Sequence, residues 1–304
     1  LNSPSRTAPG RNAPAPGLYE HVSFEEYLSW DCISNSSLHA AARSLLHYKE
    51  QRPIEETPAM QLGTFCHVGR LEPSAVYRRY VVMPDLTAGL LNDLGKPYDN
   101  PKATKAYKRR VAEFQEQNAD KLVVSQADFD AMVGIVAALD RDERAHAWFT
   151  APGPVELSIV WDDPETGLRC KGRLDKLATS LQLVIDLKTC RDCRRFPAQI
   201  AERHYHRQGA MYLGGLQVLT GEVHQFGLVA VENSAPYGLM SAPLCEADLE
   251  QGRAEYRRYL RQISKAKSSG VWPSYTSPAQ WSRPAWASTE AELTLTIQGK
   301  QVTL

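Results

Sequence analysis

Nothing in this 304-residue sequence approaches the ~20 consecutive apolar residues that a membrane-spanning helix needs, so no membrane partner is expected. The N-terminal stretch has neither the charged nor the apolar region of a secretion signal. The chain begins at Leu1, which suggests a piece trimmed from a longer one. Cysteine is sparse. Residues 32, 66, 170, 190, 193 and 245 do not make the dense scaffold of small secreted domains, and they fit a reducing, cytoplasmic setting. Net charge is missing too: Lys plus Arg and Asp plus Glu number 35 each. No global field draws the molecule to a polyanion, so such a partner has to be held by a local basic patch. There is no G-x-x-x-x-G-K-[ST] loop, so ATP is not indicated, and no internal repeat.

What is present is an ordinary globular composition, 43% apolar and 23% charged, long enough for one large α/β domain. Residues 1–17 are Pro/Ala/Ser-rich and read as a disordered lead-in. Residues 18–290 read as a single domain whose first half is a helical layer, and 291–304 as a tail or edge strand. Helix starts are marked by Ser34 ahead of Leu38, Ala41 and Leu45, by Thr57-Pro58, and by Ser125 with Asp128 three residues on. On the helix after Pro58, Met60, Gly63, His67 and Leu71 fall on one stripe. A histidine there is more often a satisfied core residue than a ligand.

The organising stretch runs from Val155 to Tyr212. It reads VELSIVW, a turn, LRCKGRLDKLA, a second turn, LVIDLKT, and then a helix carrying HYHRQGAMY. Three short β-like runs between turn signals make an antiparallel meander. Side chains alternate along a strand, so Asp186 and Lys188 share one face while Ile185 and Leu187 take the other. Hairpin pairing would bring Asp175 and Glu156 towards them. Acids gathered so closely repel unless a cation lies between, and oxygen donors suit Mg²⁺ or Mn²⁺. Charge inside an otherwise apolar strand is costly, which sets this Asp-x-Lys apart from a solvated surface pair. Pro197 fits the first turn of one helix ending near Gly221, with Ile200, His204, Gln208 and Tyr212 at i, i+4 spacing. Cys190-x-x-Cys193 with His204 and His206 resembles half a zinc site, but the His-x-His spacing is too short for a finger, and structural zinc is disfavoured.

Taken in order, I-S-N-S-S-L, G-T-x-x-H-x-x-x-L-E-P, C-K-G-R-L-D, D-L-K-T and Y-H-R-Q-x-A-x-Y resemble the exonuclease VIII (RecE)-type nuclease domains. These lie in the lambda-exonuclease and RecB branch of the PD-(D/E)xK superfamily. Gly172 stands where Ala is common in that pattern, and Asp186 where many relatives have Glu. The resemblance implies a restriction-endonuclease-like α/β fold, a central mixed sheet flanked by helices. It implies a metal-dependent 5′→3′ exonuclease that resects linear double-stranded DNA for recombination. Asp175 and Asp186 would hold the metal, with the Leu187 carbonyl and Glu156 or His67 completing the shell. Lys188 would orient or deprotonate the attacking water or stabilise charge, and Gln208 and Tyr212 would position the strand. The basic run Arg191, Arg194, Arg195, Arg203 and Arg207 would contact phosphates, with Ser36, Ser37 or Arg43 receiving a 5′-phosphate. Implied partners are DNA ends, a RecT-like single-strand annealing protein, and copies of the chain in a trimeric or tetrameric ring. Two rival readings stand beside this one: a nuclease-dead DNA-binding scaffold, and a restriction-type endonuclease.

Overall fold

The structure, a computed structural model, describes residues 13–51, 56–277, 281–282, 294–297 and 300–303. The chain opens with strand β1 (Gly17–Tyr19) and helices α1 (Phe24–Ser29), α2 (Asn35–Arg43), α3 (Leu45–Lys49), α4 (Pro58–Leu71) and α5 (Val76–Arg79). Strand β2 (Tyr80–Val82), helix α6 (Lys105–Gln117), strand β3 (Leu122–Val124) and helices α7 (Gln126–Arg141) and α8 (Glu143–Thr150) complete the first half. Polar caps start these helices. Ser23, Ser34, Ser44, Thr57, Thr104, Ser125 and Asp142 each accept the backbone N–H three residues on. The small parallel pair β2–β3 had no signal in the sequence pattern.

The second half supplies the sheet. It contains β4 (Val155–Asp162), β5 (Arg169–Ala178), β6 (Leu183–Cys190), α9 (Phe196–Glu202), α10 (Tyr205–Thr220), β7 (Gln225–Glu232), β8 (Leu239–Pro243) and α11 (Glu246–Ser269). Strand order is β1-β4-β5-β6-β7-β8. All neighbours are antiparallel except β6 and β7, which run parallel because α9 and α10 carry the chain back between them. The mixed sheet with antiparallel first strands is thus as the sequence implied.

Each face has its own core. Val184 of β6, Phe226, Leu228 and Ala230 of β7 pack with Ala210, Met211 and Leu216 of α10 and with Leu260 and Ile263 of α11. Leu183, Ile185 and Leu187 point the other way, onto Phe65 and Val68 of α4 and Ile135 and Leu139 of α7. The period-two reading of β6 holds residue by residue.

Three boundaries differ from expectation. Gly17 is not in a lead-in but opens β1, and the Arg169 guanidinium donates to the Pro14 carbonyl at 2.6 Å, anchoring what precedes it. Residues 1–12 of that lead-in lie outside the described residues. The single helix expected from Pro197 to Gly221 is two, because His204 takes a left-handed conformation (φ 54°) between α9 and α10. Thr294–Ile297 (β9) pairs with Lys300–Thr303 (β10) in a hairpin of its own instead of joining the central sheet as an edge.

Candidate active site

The site forms where strand alternation slips. Along β4, Val155 packs with the α4 core but Leu157 with the α10 core. Along β5, Leu174 and Leu177, three apart, both lie in the α10 core. Residues two apart should share a face and residues three apart should not. The slips fall at Glu156 and Asp175, which stand opposite each other between the paired couples Val155–Lys176 and Leu157–Leu174. Glu156 absorbs its slip with a left-handed backbone, φ 50°, a conformation that costs a non-glycine residue about 1–2 kcal/mol.

Beyond the slip, β5 and β6 part. Their pairing runs from Ala178–Leu183 to Lys176–Ile185 and stops just before Asp175 and Asp186 would face each other. In place of a ladder bond, the Leu187 N–H donates to Asp175 Oδ2 at 2.7 Å. A residue's N–H and C=O point to the same edge of a strand, so the Leu187 carbonyl is turned towards this gap as well.

Around the gap the side chains converge from five elements, α4, β4, β5, β6 and α10. Asp186 is buried, with Lys188 Nζ 2.6 Å from Oδ2 and Gln208 Nε2 of α10 donating to Oδ1 at 2.7 Å. Lys188 lies over the Tyr205 ring, 4.9 Å from its centroid. His67 of α4 comes within 3.5 Å of Asp175 Oδ2. His67, Glu156 and Asp175 place their ligand atoms within 4.8 Å of one another. Asp186 stands beside this trio with both oxygens engaged. Tyr212, one turn beyond Gln208, is buried against Gly172, where a Cβ would come within 2.9 Å of its ring. The departure at Gly172 from the usual Ala is therefore what makes room for Tyr212.

The electrostatics of this cluster are those of acids buried side by side. Burial and the Asp186 charge push Asp175 up to about 7. Burial and Asp175 raise Glu156, against the pull of Arg173, whose Nε donates to Glu156 Oε2 at 2.5 Å. Burial alone would lower Lys188, but Asp186 and Asp175 outweigh it and hold the amine protonated. Burial and Lys188 lower His67, keeping the imidazole neutral and fit to be a ligand. Three carboxylates, a neutral imidazole and a carbonyl fit Mg²⁺ or Mn²⁺, and the burial and mutual repulsion that raise Asp175 and Glu156 are what a bound cation would relieve.

The site opens into a cavity of about 1070 Å³ between the sheet and the N-terminal helices. His67, Glu156, Asp175, Asp186, Lys188, Gln208 and Tyr212 line it, and Ser36, Ser37 and Arg43 of α2 line it too. Ser37 Oγ already serves the cap of α2, accepting from the Ser34 N–H at 2.9 Å and donating to the Ser34 carbonyl at 2.8 Å. The basic run is not in the cavity wall. Arg191, Arg194, Arg195 and Arg203 are exposed outside it, with Arg194 paired to Asp192 at 2.9 Å. Arg207 corrects the expectation of a phosphate contact. It is fully buried, Nε donating to Asn35 Oδ1 at 3.0 Å and its guanidinium over the Tyr259 ring, so no strand reaches it. Cys190 and Cys193 are buried free thiols in the α10 core, their sulfurs 3.5 Å apart, with no histidine drawn to them.

Two cavity residues were overlooked. Lys171 donates to the Tyr27 and Trp30 carbonyls, each at 2.8 Å, fastening the end of α1 to the sheet. Arg173 holds Glu156 and also donates to the Val22 carbonyl at 2.9 Å. The signal was in the sequence: 171, 173 and 175 alternate as charges against Cys170, Gly172 and Leu174, which is a polar strand face turned into a protein interior.

A mixed sheet that parts over an Asp, an Asp-x-Lys and a helix-borne Gln defines a nuclease of the PD-(D/E)xK class. This chain belongs to the family described as "PDDEXK-like domain of unknown function (DUF3799)", which matches residues 29–284. A solved structure from Eubacterium rectale, named "Putative exonuclease", is similar in fold: TM-score 0.58 at 14% identity, over 84% of this chain and 90% of that one. A second, SSO0001, gives a TM-score of 0.27 at 15% identity over 66% of this chain and 85% of that one. No protein of curated function matches the sequence.

Proposed function

We propose that this nuclease is a divalent-metal-dependent exonuclease that digests linear double-stranded DNA 5′→3′ from its ends, leaving 3′ single-stranded tails for recombination. The observation that carries the reading is the single cavity wall shared by the acid–lysine cluster and by Ser36, Ser37 and Arg43. At about 1070 Å³ it has room for a few nucleotides of one strand, which suits an enzyme that takes a strand by its end. Polarity, an annealing protein of the RecT type, and a ring of three or four copies follow from the resemblance to exonuclease VIII-type domains. A ring accounts for DNA binding by a chain without net charge, since only the side facing the hole needs to be basic.

Asp175, Glu156 and His67, with Asp186, would hold Mg²⁺ or Mn²⁺, which when bound polarises a phosphate and acidifies a water. Lys188, kept protonated by Asp186 and Asp175, acts as a cation towards the charge that builds on the phosphoryl group. Gln208 fixes the carboxylate of Asp186 through its hydrogen bond to Oδ1, and Tyr212 closes the wall behind it. Arg173 holds Glu156 in place and opposes the burial and the Asp175 charge that raise it. The test uses 5′-labelled linear, 3′-labelled linear and closed circular duplexes, each with Mg²⁺ and with chelator. Label should leave the 5′ end first and the circle should stay intact. Cutting of the circle would make the protein an endonuclease, and inertness of every substrate a binding scaffold.

A further inference from the structure

A second cluster lies outside the cavity, where α10 begins. His204 and His206 flank Tyr205, and Glu255 of α11 reaches both. His206 Nε2 stands 3.3 Å from Glu255 Oε1, and His204 Nδ1 3.6 Å from Glu255 Oε2. The three ligand atoms lie within 4.8 Å of one another. Sequence pattern alone offered Cys190 and Cys193 as partners for these histidines; the fold supplies a glutamate instead.

We propose that His204, His206 and Glu255 form a second metal site, selective for zinc-type ions and separate from the nuclease acids. Zinc bonds to nitrogen and oxygen of about 2.0–2.2 Å at tetrahedral angles put neighbouring ligand atoms about 3.4 Å apart. The two histidine–glutamate separations bracket that value. His204 Nδ1 and Glu255 Oε2 are shut off from solvent, and neither has a hydrogen-bond partner. Buried polar atoms seldom stay so, and an ion between them satisfies both at once. The tautomer of His206 points the same way. Its Nδ1 lies 3.2 Å from the Ile200 carbonyl, which can only accept, so that nitrogen carries a proton. Nε2, 3.3 Å from Glu255 Oε1, is then the ring nitrogen available to an ion. An imidazole held by a backbone carbonyl through its other nitrogen is the usual support of a metal ligand. Glu255 also supplies the negative charge that offsets the neighbouring Arg207. Two nitrogens and one carboxylate leave a fourth position for water and favour zinc over magnesium.

The left-handed turn at His204 is what brings the two histidines round to Glu255. Between them, Tyr205 is the shelf over which Lys188 lies. An ion here pins the α9–α10 junction to α11 and with it the ring beneath the nuclease lysine.

The full chain carrying Asp175→Asn and Asp186→Asn, which disables the acid cluster, is stripped with chelator. It is then titrated with zinc against a chromophoric competitor in excess magnesium. One equivalent of zinc should bind. Adding His204→Ala, at a half-exposed position, or the isosteric Glu255→Gln should weaken uptake by more than about 100-fold, with the circular dichroism spectrum unchanged. No zinc uptake in the disabled background overturns the site. So does uptake unaltered by both additional substitutions, whatever the nuclease assays give.

Discussion

Replacing Asp175 by Asn should make the metal-free protein more stable while abolishing cleavage. The carboxyl group ordinarily ionises near 3.8 and in the folded chain near 7, because it is buried beside Asp186. Between those values the folded state keeps a proton that the unfolded state has lost. Stability from this group therefore falls as pH rises from about 4 to about 7, and the deficit is complete above that window. At about 1.36 kcal/mol per unit, the deficit reaches about 4 kcal/mol, a large fraction of a domain's net stability. Asn removes the charge but keeps an oxygen that can accept the Leu187 N–H, now bonded at 2.7 Å. Urea unfolding in chelator, read across that window, should show the two proteins alike near pH 4 and the variant ahead by about 2–4 kcal/mol near pH 8. Added Mn²⁺ should close the gap by stabilising only the natural protein. A variant no more stable than its parent near pH 8 would refute the claim that burial and Asp186 make the ionised Asp175 costly.

Other outcomes follow from neighbouring contacts. Lys188→Ala should reduce cleavage by at least about 100-fold with an unchanged fold, measured on labelled linear duplex, since only its charge is aimed at the reaction. Gly172→Ala should cost about 1–3 kcal/mol in chemical denaturation, because the added methyl meets the buried Tyr212 ring at 2.9 Å. Lys171→Met should destabilise by about 2–4 kcal/mol, and proteolysis should then cut first around α1, whose terminal carbonyls lose their donor. Metal affinity, followed by calorimetry, should drop about tenfold per pH unit below 7 as the ion competes with the proton on Asp175.

Much of this was legible in the sequence where local rules govern. The two faces of β6 follow from alternation, which puts Asp186 and Lys188 on the same side. Ser34, Thr57 and Ser125 announced their helices because a cap acts within three residues. The failures are all matters of distance or of an unusual residue for its conformation. Left-handed turns are advertised by Gly or Asn, and at Glu156 and His204 they fall on residues that advertise nothing. Arg207 looked like its exposed neighbours, and only Asn35 and Tyr259, remote in sequence, draw it inside. His67 sat on an apolar stripe like any core histidine. Only the resemblance singled it out, because Asp175, which it approaches to 3.5 Å, is more than a hundred positions away.

The paired slip at Glu156 and Asp175 also constrains how such an enzyme can vary. Each strand changes sides there, so the alternate positions that feed one core before it feed the other core after it. Transposing Asp175 with Lys176 would carry the acid to the Gly153 side of the sheet, where the lysine amine now donates to a carbonyl at 2.7 Å. Deleting one residue would turn Leu177 and Ala178 inside out. The carboxylate thus has one address on β5, and the chemistry is locked to a fault line in the pleat.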